Sequence, residues 1–130
     1  MLAQTISFVE NEYATVSYGS DGILYVKIKA GTHVTTEVQD ELIKLYNSVA
    51  GGKKVPFFFE GEEFVTISKD ALENSYKLED QAPLSATALI VKNLAQKILA
   101  DFYYKFKKPN KPLKVFKNKD EAKKWLAQYL

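Results

Sequence analysis

The sequence predicts a single α/β domain over residues 1–130: a mixed sheet with helices packed on it and an opening β-hairpin. Three observations carry this reading. Segments rich in β-branched and aromatic residues alternate with segments of helical periodicity, the order of a sheet covered by helices. A turn signal, Ser20-Asp21-Gly22, joins the first two strands, glycine supplying the positive φ such turns need. The chain has 130 residues, 46% hydrophobic and 26% charged, enough to close a core without disulfides or metals.

The elements follow in order. Thr15 to Tyr18 and Ile23 to Lys29 read as strands. In the second, Leu24, Val26 and Ile28 alternate with Tyr25, Lys27 and Lys29, one buried and one wet face. Gly31 to Thr35 reads as a loop. Thr36 with Gln39 reads as a capping box for a helix whose stripe is Val38, Leu42, Leu45 and Val49, ended by Gly51-Gly52. Val55 to Phe59 is an apolar strand with Pro56 at its start. Phe64 to Ile67 reads as a short strand or an irregular extension. Ser68 reads as the N-cap of a helix over Lys69 to Lys77, with Leu72 and Tyr76 facing inward. Ala86 to Val91 has the pattern of a strand buried on both faces. Asn93 caps a long helix with Gln96 at its third position. Leu94, Ile98, Phe102 and Phe106 form that helix's expected inner stripe, joined by Ala95 and Leu99, and Pro109 and Pro112 stop it. Leu113 to Phe116 is a last strand. Asn118 and Glu121 form a capping box for a final helix with Ala122, Trp125, Leu126 and Tyr129 on its inner face.

Composition excludes several chemistries. There is no cysteine, hence no disulfide framework, thiolate metal site or cysteine nucleophile, and one histidine rules out a multi-histidine metal site. All 18 basic residues are lysine, and the absence of arginine speaks against sequence-specific nucleic-acid reading. Charge is unevenly spread: residues 1–91 carry 7 lysines against 13 carboxylates, residues 92–130 carry 11 against 3. Two faces of opposite sign are expected. No segment reaches the roughly 18 apolar residues of a membrane span, and Met1 to Tyr13 lacks a secretory pattern, so a cytoplasmic location is expected.

A resemblance rests on particular residues. They are Ala88-Leu89-Ile90-Val91, Asn93 to Ile98, Phe102-Tyr103, Lys108-Pro109, Pro112, Phe116 and Glu121 to Leu126. Together with the element order they resemble the STAS domains, the SpoIIAA-like fold of anti-sigma-factor antagonists. The likeness is greatest to small uncharacterised bacterial STAS-like proteins of the kind common in Bacteroidetes. It covers nearly the whole chain and is most specific from about residue 86. In that family a partner kinase phosphorylates a serine at the start of the helix after the central strand, in an Asp-Ser-Ser-Gly type setting. Ser68 occupies the comparable position, followed by Lys69-Asp70-Ala71 without the second serine or the glycine.

The remaining candidates are few. His33 reads as a loop histidine, with no motif supplying a nucleophile and an orienting group around it. Glu60, Glu62, Glu63 and Asp70 form an acidic patch near the end of the central strand, where α/β sheets bind ligands; its spacing matches no calcium loop. The run Lys105 to Lys114 mixes lysine, aromatics and proline, and reads as a helix end before a surface for nucleic acid or anionic lipid. Phe57, Phe58, Phe59, Phe64, Phe102, Tyr103, Tyr104 and Phe106 form a core or line a pocket for an apolar ligand. Gly51-Gly52-Lys53-Lys54 lacks P-loop spacing.

The expectation is a non-enzymatic regulatory or protein-interaction module of STAS-like type, without catalytic residue, cofactor or metal. A protein partner would dock at Glu60, Glu62, Glu63, Ser68 and Asp70, and homodimer formation through edge strands is compatible with the sheet. The alternative is a carrier of a small apolar or lipid-like ligand. An enclosed apolar cavity would speak for the carrier, an exposed apolar patch beside Ser68 for the partner.

Overall fold

A computed structural model describes residues 4–106 and 110–130, and for residues 102–106 the backbone alone. The main sheet has six strands: β1 (Thr5–Glu10), β2 (Ala14–Gly19), β3 (Leu24–Ile28), β5 (Val55–Gly61), β7 (Leu84–Ile90) and β8 (Leu113–Phe116), adjacent in that order. β1, β2 and β3 pair antiparallel, and β3, β5, β7 and β8 run parallel. Two two-residue strands, β4 (His33–Val34) and β6 (Thr66–Ile67), make a separate parallel ladder. The helices are α1 (Thr36–Ala50), α2 (Lys69–Gln81), α3 (Leu94–Phe106) and α4 (Lys119–Leu126), with a 3-10 turn after α4.

Strand alternation splits the interior into two cores. Phe57 and Phe58 are neighbours on β5 and point to opposite faces, each almost wholly buried. On the face of Phe57, Val16, Leu24, Val26 and Ile28 of the antiparallel strands pack against Val38, Leu42 and Tyr46 of α1 and Ala71 of α2. On the face of Phe58, Ala86, Ala88 and Ile90 of β7 meet Ala122 and Leu126 of α4. The alanines let α4 approach closely, and Phe116, Trp125 and Tyr129 close that core with ring centroids 5.7 and 5.0 Å apart.

The hairpin turn, Gly51 as a left-handed cap, the Ser68 cap and the Asn118 cap all form as expected. Asp21 completes the hairpin. Its carboxylate accepts the Ile23 N–H and the Tyr25 hydroxyl. Burial, then the hydrogen bond to and the charge of Asp21, raise the Tyr25 phenol above its ordinary range.

Several elements differ from expectation. β1 adds an antiparallel edge strand ahead of the hairpin, and residues 33–34, expected in a loop, pair with β6. The cap of α1 is Thr35, whose hydroxyl accepts from the Val38 N–H, so Gln39 lies one residue beyond a capping-box position. Gln39 is instead buried: its Nε2 donates to the Ala71 carbonyl at 2.8 Å and the Ser75 hydroxyl at 3.2 Å, and its Oε1 accepts from Asn74. This amide network fixes α2 against α1.

The largest correction concerns α3. Leu94 and Ile98, expected on the inner stripe, are 72% and 59% exposed, while Ala100 is buried and Gln96 half-buried. The side chains of Phe102 and Phe106, and those of Tyr103 and Tyr104, lie outside the described residues, as does Pro109. β7 is consequently not buried alike on both faces. Ala86, Ala88 and Ile90 are enclosed beneath α4, whereas Thr87 and Leu89 are only half-buried beneath α3.

Replacing Gln39 with leucine keeps the volume but leaves the Asn74 amide unpartnered at a half-buried position. The Gln39→Leu variant is expected to lose about 1–2 kcal/mol, read as a lower urea midpoint with an unchanged slope.

Candidate functional site

The room that α3 leaves open is an apolar cavity of about 310 Å³. Its floor is the sheet, through Phe57, Phe59, Thr87 and Leu89. α1 contributes Leu42 and Tyr46, and α2 contributes Leu72, Ser75, Leu78 and Glu79. Gln96, Leu99 and Ala100 of α3 border it from above, and Lys111 to Leu113 close the end where β8 begins. Tyr46 stands edge-on to Phe57 with centroids 5.1 Å apart, and burial raises its phenol above the ordinary range.

The polar groups around the cavity are held by the fold. Gln39 and Ser75 belong to the amide network between α1 and α2. Gln96 accepts the Lys92 N–H at 2.7 Å, while its own N–H is capped by Asn93. Glu79 is buried, and its Oε2 accepts the N–H groups of Asn110 and Lys111 at 3.0 and 3.2 Å.

The acidic candidates do not form one patch. Glu60 follows Phe58 by two residues, so its side chain shares the α4 face. It is buried, with Oε1 2.9 Å from Lys92 Nζ and 3.7 Å from Lys119 Nζ. The angle at the nearer contact does not make a hydrogen bond, so Glu60 is held by charge. Glu62 and Glu63 are exposed; the Glu62 carboxylate accepts the Ala30 N–H and the Glu63 carbonyl that of Gly31. Ser68 caps α2, its Oγ accepting the Ala71 N–H at 3.1 Å, and its own N–H donates to the Val34 carbonyl. Asp70 is exposed in the first turn of α2. Thus Ser68 and Asp70 belong to the α1–α2 face, and Glu60 to the opposite one.

His33 is exposed, with Nδ1 2.7 Å from the Thr66 hydroxyl across the β4–β6 ladder. Residues 107–109 of the basic run lie outside the described residues. Among the described residues no group of three His, Asp or Glu side chains is placed to hold a metal ion, and no helix is long and apolar enough to cross a membrane.

Residues 17–130 match a family described as a domain of unknown function, DUF7793, and the chain belongs to that family. A solved structure from Shewanella loihica PV-4, an uncharacterised DUF3478 protein with a SpoIIAA-like fold, is similar over 97% of this chain and 96% of its own. The TM-score is 0.56 at 19% identity, which establishes the SpoIIAA-like α/β fold. A protein of unknown function from Arthrobacter sp. FB24 aligns over 92% of this chain and 97% of its own, at 19% identity with a TM-score of 0.31. No curated protein matches the chain.

The Glu60 arrangement makes an asymmetric prediction. Its lysine partners are half-exposed and its carboxylate is not. Lys92→Met is expected to cost about 1–3 kcal/mol at neutral pH, because it leaves the buried carboxylate with the more distant Lys119 ammonium alone. Glu60→Gln should cost less, because water replaces the carboxylate at both ammonium groups. Urea unfolding of the two variants at one pH reads the difference.

Proposed function

We propose that this chain is a non-enzymatic binding module that carries a small apolar or lipid-like ligand in the cavity between α2, α3 and the sheet. One observation carries the reading: an apolar pocket of about 310 Å³, partly open to solvent, in a domain of 130 residues. An apolar cavity of about 150 Å³ takes one benzene molecule, so twice that volume takes about a dozen non-hydrogen atoms. The pocket is partly open to solvent, so its apolar lining meets water, and a ligand that displaces that water removes apolar surface from solvent. A binding role also accords with the polar groups at the walls, which are committed to backbone and amide partners rather than grouped as nucleophile, base and orienter.

A second observation favours the protein-interaction reading. Phe64 is 82% exposed, adopts a left-handed backbone with φ of 63°, and lies four residues before Ser68. A non-glycine residue in that conformation costs about 1 kcal/mol or more, and here it holds an aromatic ring in solvent. This is an exposed apolar feature close to Ser68 in sequence, of the kind a regulatory partner would cover.

Filling the cavity tests the carrier. Leu89→Trp should abolish binding of an apolar fluorescent probe such as N-phenyl-1-naphthylamine while leaving the far-ultraviolet circular dichroism unchanged. Phe64→Ser should leave that binding intact. If the probe binds Leu89→Trp as well as the parent protein, the cavity is not the site.

A further inference from the structure

We propose that the ligand of the cavity carries a carboxylate, seated on the Lys111 ammonium at the β8 end, with its apolar tail lying along β7 toward Leu99. The proposal rests on the carrier reading above and adds the ligand's chemical class.

The argument begins with Lys111. It is half-buried, lines the cavity, and precedes the exposed Pro112, so it stands where the apolar space meets solvent. Its Nζ donates to the carbonyls of Glu79 and Leu84 at 2.7 and 3.0 Å. An ammonium group has three donors, and these two acceptors are neutral. No carboxylate lies within ion-pair distance of Lys111 among the described residues. Glu79, which also lines the cavity, spends its Oε2 on the N–H groups of Asn110 and Lys111. Lys54 adds a second positive charge. Burial, then the hydrogen bond with and the charge of Lys54, lower the Lys111 ammonium from its ordinary range, against the opposite pull of Asp80 and Glu79. With two neutral carbonyls and the Lys54 ammonium around it, the Lys111 charge gains from an anion brought to this end of the cavity.

The rest of the cavity describes the tail. Leu84 and Leu89 of β7 both line it, five residue steps apart, so it follows the strand for about 17 Å. Along that run the walls are Phe57, Phe59, Leu72, Leu78 and Leu99. A volume for about a dozen non-hydrogen atoms in a long apolar slot suits an unbranched chain of about ten carbons ending in a carboxylate.

Decanoate, decanol and decylammonium test this by isothermal titration calorimetry on the full chain. Decanoate is expected to bind at least about tenfold more tightly than decanol, and decylammonium more weakly than either. Lys111→Met should bring decanoate down to the affinity of decanol and leave decanol unchanged, and Lys111→Arg should retain most of the preference. If Lys111→Met does not fold, the ranking of the three ligands on the parent protein still decides. Equal binding of decanoate and decanol to the parent protein would overturn the anchor and leave the carrier reading standing. Binding of none of the three, together with no binding of the naphthylamine probe, would overturn the carrier reading itself.

Discussion

The alternation of side chains along β5 is the constraint on which the structure turns. Phe57 and Phe58 cannot face the same way on an extended strand, so the most apolar segment of the chain seeds two cores at once. Each core then needs its own cover. α4 supplies it on one face, with alanines meeting alanines, and α1 and α2 supply it on the other. Because β5 pairs with β3 on one side and β7 on the other, the same two rings also lock the register of the sheet's centre.

That division explains why one core is full and the other is hollow. Beneath α4 the contacting residues are small and the aromatic closure of Phe116, Trp125 and Tyr129 is complete. Among the described side chains of α3, Gln96, Leu99 and Ala100 border the cavity while Leu94 and Ile98 face solvent. The cavity lies beneath a stretch of α3 from which Leu94 and Ile98 point away. Its polar rim is held by the termini of neighbouring elements: Glu79 by the backbone entering β8, Gln96 by the loop leaving β7.

Much of the fold is legible in the sequence because it depends on local chemistry. The Ser20-Asp21-Gly22 turn, Gly51 at the end of α1, and the caps Ser68 and Asn118 each satisfy backbone groups within a few residues of themselves. The parts that escape depend on distant partners. β1 is largely exposed and shows no buried stripe, and β4 and β6 are two residues long and exist through each other. The stripe of α3 is legible as a period but not as a direction, since Leu94 and Ile98 declare a helix without declaring which side the sheet lies on. Of the candidate site, Ser68 is legible as a cap, while Glu60 looks like one of three surface acids and is buried against two lysines. Lys111 gives no sign within a run of lysines; only the carbonyls of Glu79 and Leu84 set it apart.

The unequal filling of the two cores bears on how freely this sequence can drift. Ala86, Ala88 and Ala122 are fully enclosed, so any added methylene there must displace α4 or the sheet. Thr87 and Leu89, one residue away on the same strand, border free volume and can exchange for bulkier apolar residues with little disturbance of the backbone. A single strand thus carries two regimes of tolerance, alternating residue by residue. Packing constrains its α4 face at every residue and leaves the opposite face freer to change.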